Sequence, residues 1–138
     1  MADDAPTKVQ FDLVSPERAL ISEQVDMVVA PGAAGDFGVL PLHSPLISLL
    51  RPGVIEVHDG GRIKERIFVA GGFAEVNEQS CTVLAEEAKR VADLDREQAR
   101  RRLSDARDDL GEAKEEADRR RFERQVEIAE AMVEAAGA

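Results

Sequence analysis

Cysteine is nearly missing from this 138-residue chain, and tryptophan and tyrosine are missing altogether. The one cysteine, Cys81, rules out an internal disulfide and suits a reducing cytoplasm. With no Trp or Tyr and only five Phe, the chain has poor platforms for stacking bases. Basic residues are outnumbered, 18 Lys and Arg against 28 Asp and Glu, and the net charge of -10 argues against nucleic acid as the main partner. No run of about 18 apolar residues exists, so no membrane span is expected. The opening MADDAPTKVQ is acidic and lacks an apolar run, so no secretory signal is expected there. The two histidines, His43 and His58, have no Cys, His or carboxylate at a helical metal-ligand spacing, and no metal site is expected. Ser44 beside His43 makes no catalytic pair, because neighbouring residues of an extended chain point to opposite faces.

The glycines and prolines are unevenly spread. Val29 to Gly53 holds four of the six prolines (Pro31, Pro41, Pro45, Pro52) and four of the ten glycines (Gly32, Gly35, Gly38, Gly53). Such a stretch cannot be a regular helix, and its prolines belong at strand edges and turns. It is also apolar, with Val39, Leu40, Leu42, Leu46, Ile47, Leu49 and Leu50. Apolar side chains on a turn-rich backbone point to a packed surface or an interface. Gly32, Gly35 and Gly38 do not have the GxGxxG spacing, carry no Lys and open no helix, so they read as tight turns between strands and not as a phosphate cradle. Asp36 in that stretch reads as a turn residue.

The chain changes character near residue 86. Residues 1–85 carry 12 acidic and 6 basic side chains, whereas residues 86–138 carry 16 and 12. The first part alternates like strands: Val9, Phe11 and Leu13; Val25, Met27 and Val29; Val54, Ile55 and Val57; Ile63 to Val69; Phe73 to Val76; then Cys81, Val83 and Ala85. Short strands with frequent turn signals predict an antiparallel sandwich or barrel. Asp59–Gly60 is the best hairpin signal. Cys81 falls on the alternation, so its expected role is core packing.

The second part predicts two helices. Asp93 or Asp95 caps the first, and Ala99, Leu103, Ala106 and Leu110 share a face. Gly111 breaks the pattern, which puts the turn there or a few residues later. Phe122, Val126, Ala129, Val133 and Ala136 mark the second helix. Two thin, Ala-rich stripes predict an antiparallel hairpin with little burial of its own. Weak packing of this kind suits a conformational arm. The paired acids Glu86–Glu87, Asp108–Asp109 and Glu115–Glu116 read as solvated surface. The runs Arg100–Arg102 and Arg119–Arg121, with Arg124, either pair with neighbouring acids or form a docking face for an acidic partner. No catalytic constellation is found, so the chain is not expected to be an enzyme by itself. An adaptor built on the hairpin, or a small-ligand enzyme using the Gly-rich stretch, stay open as alternatives at this level.

The order PG..G..GVLP.H.PL....L.PG over Val29–Gly53, with VAGGFAEV around Gly71–Gly72–Phe73 and with Leu84–Ala85–Glu86, resembles the epsilon subunit of the bacterial F-type ATP synthase. The resemblance runs from about Lys8 to the end. It implies a β-sandwich over residues 1–88 that binds the gamma subunit and rests on the c-ring, and a regulatory two-helix domain over residues 89–138. It places Gly35, Asp36, Phe37 and Gly38 in a loop facing the c-ring, with His43 at the same end of the sandwich. It implies a hairpin that folds against the sandwich or extends along gamma. In the extended form, Arg119, Arg120, Arg121 and Arg124 would meet an acidic segment of the beta subunit, so alpha and beta are transient partners. Some members bind ATP through a motif resembling [I/L]-D-x-x-R-A. Here that stretch is Leu94 to Ala99, which keeps Asp95 but has Gln98 in place of the arginine, and Lys89 stands where an acid is expected upstream. Glutamine offers no charged fork to a phosphate, so no ATP and no other cofactor is expected. The implied function is a non-catalytic central-stalk rotor subunit at the cytoplasmic face of the bacterial inner membrane, with the hairpin restraining ATP hydrolysis.

Overall fold

A computed structural model describes residues 7–137. The chain divides between Arg90 and Val91 into a strand-rich unit and a helical unit. The division falls two residues beyond the expected 88/89 boundary, because Ala88–Arg90 forms a short strand on Ile67–Val69.

The first unit contains β1 (Val9–Val14), β2 (Ala19–Val25), β3 (Met27–Gly32), β4 (Gly35–Val39), β5 (Leu46–Leu50), β6 (Gly53–Asp59), β7 (Arg62–Val69), β8 (Gly72–Val76), β9 (Ser80–Ala85) and β10 (Ala88–Arg90). They form one sheet in the order β10-β7-β6-β3-β5-β8-β9-β1-β2, with β4 paired to β3 off that path. Alternate residues supply the core: Val9, Phe11 and Leu13 of β1, Val28 and Ala30 of β3, Ile55 and Val57 of β6, Cys81 and Val83 of β9. They belong to a single cluster although β1 and β6 lie far apart in the strand order. The sheet therefore folds over on itself, and one face becomes the filling of a sandwich. Each Val, Ile, Leu or Phe so buried contributes roughly 1.5–3 kcal/mol.

The strand expectation needs three corrections. Val25, Met27 and Val29 do not belong to one strand. The chain bends at Asp26, which separates β2 from β3, and the side-chain phase shifts by one, so that Val25, Val28 and Ala30 are buried. The segments β2, β4, β5 and β10 were not expected as separate strands. β4 and β5 are short and Gly- or Leu-rich, without clear alternation. Finally, β1 runs parallel to β9, from Gln10 opposite Ser80 to Val14 opposite Leu84. The other described pairings are antiparallel. The β6–β7 hairpin forms as expected, with Gly60 and Gly61 both at positive φ (64° and 77°) in its turn. Lys8 Nζ meets Asp26 at 2.6 Å and Asp59 at 2.8 Å, joining the start of β1 to that hairpin and to the β2–β3 bend. These bonds hold the Lys8 ammonium above its ordinary pKa and Asp26 below the usual carboxylate range.

The helical unit has a 3-10 turn at Val91–Asp93, then α1 (Arg96–Glu112) and α2 (Glu116–Gly137) packed together. Asp95 is the cap: its carboxylate accepts the Gln98 N–H at 3.0 Å. Of the two expected places for the turn, the later one holds: α1 runs through Gly111 to Glu112, and the break falls at Ala113–Glu115. On α2 the buried residues are Ile128, Ala129, Met132 and Ala135. Of the expected stripe only Ala129 is among them; Phe122, Val126, Val133 and Ala136 are half-buried. Apolar residues crowd α2 beyond Gln125 on more than one face, so spacing alone does not single out the buried side.

Two outcomes follow from the sandwich. Gly72 has φ +120°, and an added Cβ would lie 2.1 Å from the Leu84 carbonyl oxygen. Gly72→Ala is expected to cost about 3 kcal/mol, read from urea unfolding of the full chain. Burial pushes the Cys81 thiol from 9.0 up to about 12. The unfolded thiol ionises first, so the stabilising difference is complete below pH 9.0 and is lost as pH climbs toward about 12. Cys81→Ala should remove a loss of about 1 kcal/mol per pH unit in that window, measured as the difference in pH slope between the two proteins.

Candidate functional site

The stretch expected to face a partner is built around β3, which pairs with β6, with β4 and, at Gly32, with β5. Gly35, Asp36, Phe37 and Gly38 are not a loop. They form β4, in register with Gly32 back to Val29, and the turn itself is Ala33–Ala34. Gly32 is required there, since a Cβ would meet the Gly35 carbonyl oxygen at 2.5 Å. Asp36 does not project freely from a tip: its carboxylate is ion-paired with Arg51 at 2.5 Å. Phe37 packs against the core from its edge.

His43 does not join these residues. Leu42 donates its N–H to Glu78 in the β8–β9 turn, and Leu46 of the following strand pairs with Val76. Gly32, by contrast, pairs with Leu50, which pairs with Gly72. Glu78 and Gly72 mark opposite ends of the sheet, so β4 carries the chain about 16 Å from the Asp36 end to the His43 end. The His43 ring makes a local bond to the Ser44 carbonyl oxygen at 2.7 Å. An antiparallel return of five residues was hidden from sequence by the glycines, which signal turns more strongly than strands.

The outer face of the sandwich carries the apolar surface. Leu49 of β5 lies opposite Phe73 of β8, Phe73 opposite Leu84 of β9, and Leu84 opposite Val14 of β1. Leu49 is 70% exposed, Phe73 38% and Leu84 41%, with Ile47 at 72% on the same face of β5. This is a continuous cross-strand row, with a cleft of about 370 Å³ between Val14, Pro16, Phe73 and Leu84. Sequence reasoning found Leu49 and Ile47 but not their partners, because register was needed to join them. Leu40 and Leu42, each 55% exposed, form a second apolar point near His43. Leu42 is the one described non-glycine residue with positive φ (68°).

In the helical unit, Arg120, Arg121 and Arg124 share a face of α2, and Arg119 lies beside them; all four are exposed. Arg121 reaches Asp118 at 3.5 Å, and its guanidinium lies 4.8 Å from the Phe122 ring centre. A cleft of about 420 Å³ opens between α1 and α2, lined by Gln98, Arg101, Arg102, Asp105, Asp109 and Phe122, among others. Asp95, the residue retained from the ATP motif, is engaged in capping α1.

Residues 8–91 match the family model described as ATP synthase, Delta/Epsilon chain, beta-sandwich domain. The chain is 54% identical over 128 residues to the ATP synthase epsilon chain of Paramagnetospirillum magneticum, covering 93% of this chain and 96% of the relative. The chain belongs to the ATP synthase epsilon-chain family. The epsilon chain of Rhodospirillum rubrum is 55% identical over 126 residues, 91% of this chain and 94% of that one. Among solved structures, a chain of the Euglena gracilis mitochondrial ATP synthase OSCP/F1/c-ring assembly superposes with a TM-score of 0.82 at 29% identity, covering 98% of this chain and 84% of that chain. As an epsilon chain, this protein is a non-catalytic subunit of ATP synthase and part of its central rotor stalk. No helix of the described residues is long and apolar enough to cross a membrane.

The left-handed backbone at Leu42 disfavours any residue with a Cβ. Leu42→Gly is expected to leave stability unchanged or raise it by up to about 1 kcal/mol, while Leu42→Val lowers it by about 1 kcal/mol, both read as shifts in the urea midpoint.

Proposed function

We propose that this epsilon chain couples the gamma subunit to the c-ring, with the strand-rich unit as the coupling body and the helical unit as a regulatory arm. The exposed row Leu49, Phe73 and Leu84 carries the reading. A continuous apolar surface of this kind is costly on a free protein and suits a permanent partner, here gamma. The Ala33–Ala34 turn, with Asp36 beside it, is the end assigned to the c-ring. His43 and Leu42, at the other end, are assigned to the gamma side. The complex then holds the chain at the cytoplasmic face of the bacterial inner membrane. Arg120, Arg121 and Arg124, with Arg119, form the arm's contact with an acidic segment of the beta subunit, and this contact restrains ATP hydrolysis. The arm is assigned no nucleotide, since Asp95 is engaged as a cap and Gln98 provides no cation.

Gel filtration with gamma at about 1 µM tests the coupling reading, a concentration at which a specific interface of this kind is occupied. The full chain is expected to co-elute with gamma. Leu49→Glu and Phe73→Glu should keep their melting temperature and lose at least roughly tenfold in affinity, because a carboxylate would be buried without a partner. A chain ending at Arg90 should still co-elute and should raise the ATPase rate of the assembled enzyme. If the full chain does not co-elute, the adaptor reading takes its place. If both Glu variants bind normally, the gamma face lies elsewhere. An unchanged ATPase rate on truncation removes the braking role.

A further inference from the structure

Arg51 stands in the short connection between β5 and β6 and reaches back to the β3–β4 hairpin with three separate donors. Its backbone N–H donates to the Pro31 carbonyl at 2.9 Å. Its Nη1 donates to the Gly32 carbonyl at 2.6 Å, and its Nη2 to Asp36 Oδ1 at 2.5 Å. From the turn, Ala33 donates its N–H to the Leu49 carbonyl at 2.8 Å. The Ala33–Ala34 turn is thus held along one side by the segment 49–51. Its first strand is gripped at Pro31 and Gly32, and its second at Asp36.

We infer that Arg51 is the positioning residue for this end of the sandwich, and that Asp36 acts inward through Arg51 and not outward as a charge offered to a partner. An exposed ion pair by itself stabilises little, and the side chains of Arg51 and Asp36 are 42% and 61% exposed. What distinguishes this pair is the guanidinium fork. One nitrogen is fixed by a carbonyl of buried Gly32, which leaves the other aimed at the carboxylate with little freedom left to lose. A lysine has a single point donor and cannot hold both acceptors in that geometry. The β3–β5 pairing is confined to Gly32 and Leu50, so few ladder bonds hold the hairpin on that side without Arg51. A turn that transmits rotation has to be stiff, and Arg51 supplies that stiffness. The coupling role rests on the proposed placement of this turn against the c-ring; the clamp itself does not.

Four variants separate the inward from the outward role: Asp36→Asn, Asp36→Ala, Arg51→Met, and the double variant Asp36→Ala/Arg51→Met. Asparagine keeps an acceptor for Arg51 but carries no charge. Two readouts are taken: amide hydrogen exchange at Ala33 and Arg51 in the full chain alone, and ATP-driven proton pumping at equal ATPase rate in the reconstituted enzyme. Exchange is expected to quicken roughly tenfold in Arg51→Met and Asp36→Ala, and less in Asp36→Asn. Pumping should fall to a similar extent in Arg51→Met and Asp36→Ala, stay near normal in Asp36→Asn, and fall no further in the double variant, as expected for residues acting as one unit. Unchanged exchange in Arg51→Met overturns the proposal. Equal loss of pumping in Asp36→Asn and Asp36→Ala, with Arg51→Met normal, also overturns it and makes Asp36 a charge read by the partner. Faster exchange with normal pumping in every variant leaves the clamp standing, but overturns its coupling role together with the placement of this turn at the c-ring.

Discussion

Phe11 and Leu13 of β1, Val28 and Ala30 of β3, and Ile55 and Val57 of β6 all bury their side chains in one cluster, although their strands are distant in the sheet order. The sheet can satisfy them together only by folding over. That fold exposes its other face as the outside of a sandwich, and the remaining features follow from it. Leu49, Phe73 and Leu84 are outside because Leu50, Ala74, Val83 and Ala85 are inside, and the strand period is two. The exposed apolar row is therefore not an accident of composition: the opposite face is already committed to the core.

The same constraint explains how the ends of the sandwich are held. Strand ends leave backbone groups and turns without a ladder, and here side chains take over. Lys8 joins Asp26 and Asp59 at one end, and Arg51 joins Gly32 and Asp36 at the other. The two ends differ in kind. The first is a point charge between two carboxylates, adjustable and solvated. The second is a planar fork fixed on a main-chain carbonyl, which constrains direction as well as distance.

The helical unit obeys a different economy of contacts. Ala99 and Ala106 are buried on α1, and Ile128, Ala129, Met132 and Ala135 on α2, so small residues do much of the packing. Alanine removes little area from water, and most of the surface of both helices is charged. A unit so lightly packed opens at modest free-energy cost. Arg120, Arg121 and Arg124 are exposed in this packing, away from the buried residues Ile128, Ala129, Met132 and Ala135.

Local pattern was enough to establish the class of fold, the division into strands and helices, the β6–β7 hairpin and the core place of Cys81, and it narrowed the cap of α1 to Asp93 or Asp95. Each depends on residues a few positions apart: alternation, a Gly–Gly turn, a carboxylate three residues before an N–H. The order of Pro and Gly over Val29–Gly53 likewise carried the family resemblance. Tertiary structure alone decided the bend at Asp26 that shifts the buried phase of β3, the parallel pairing of β1 with β9, and which side of α2 is covered. It alone turned the supposed loop Gly35–Gly38 into a strand, separated His43 from Asp36, placed Arg51 against Asp36, and joined Leu49, Phe73, Leu84 and Val14 into one row. The physical reason is common to all of these. Cross-strand register is set by burial summed over the whole sheet, and no window of neighbouring residues contains that sum.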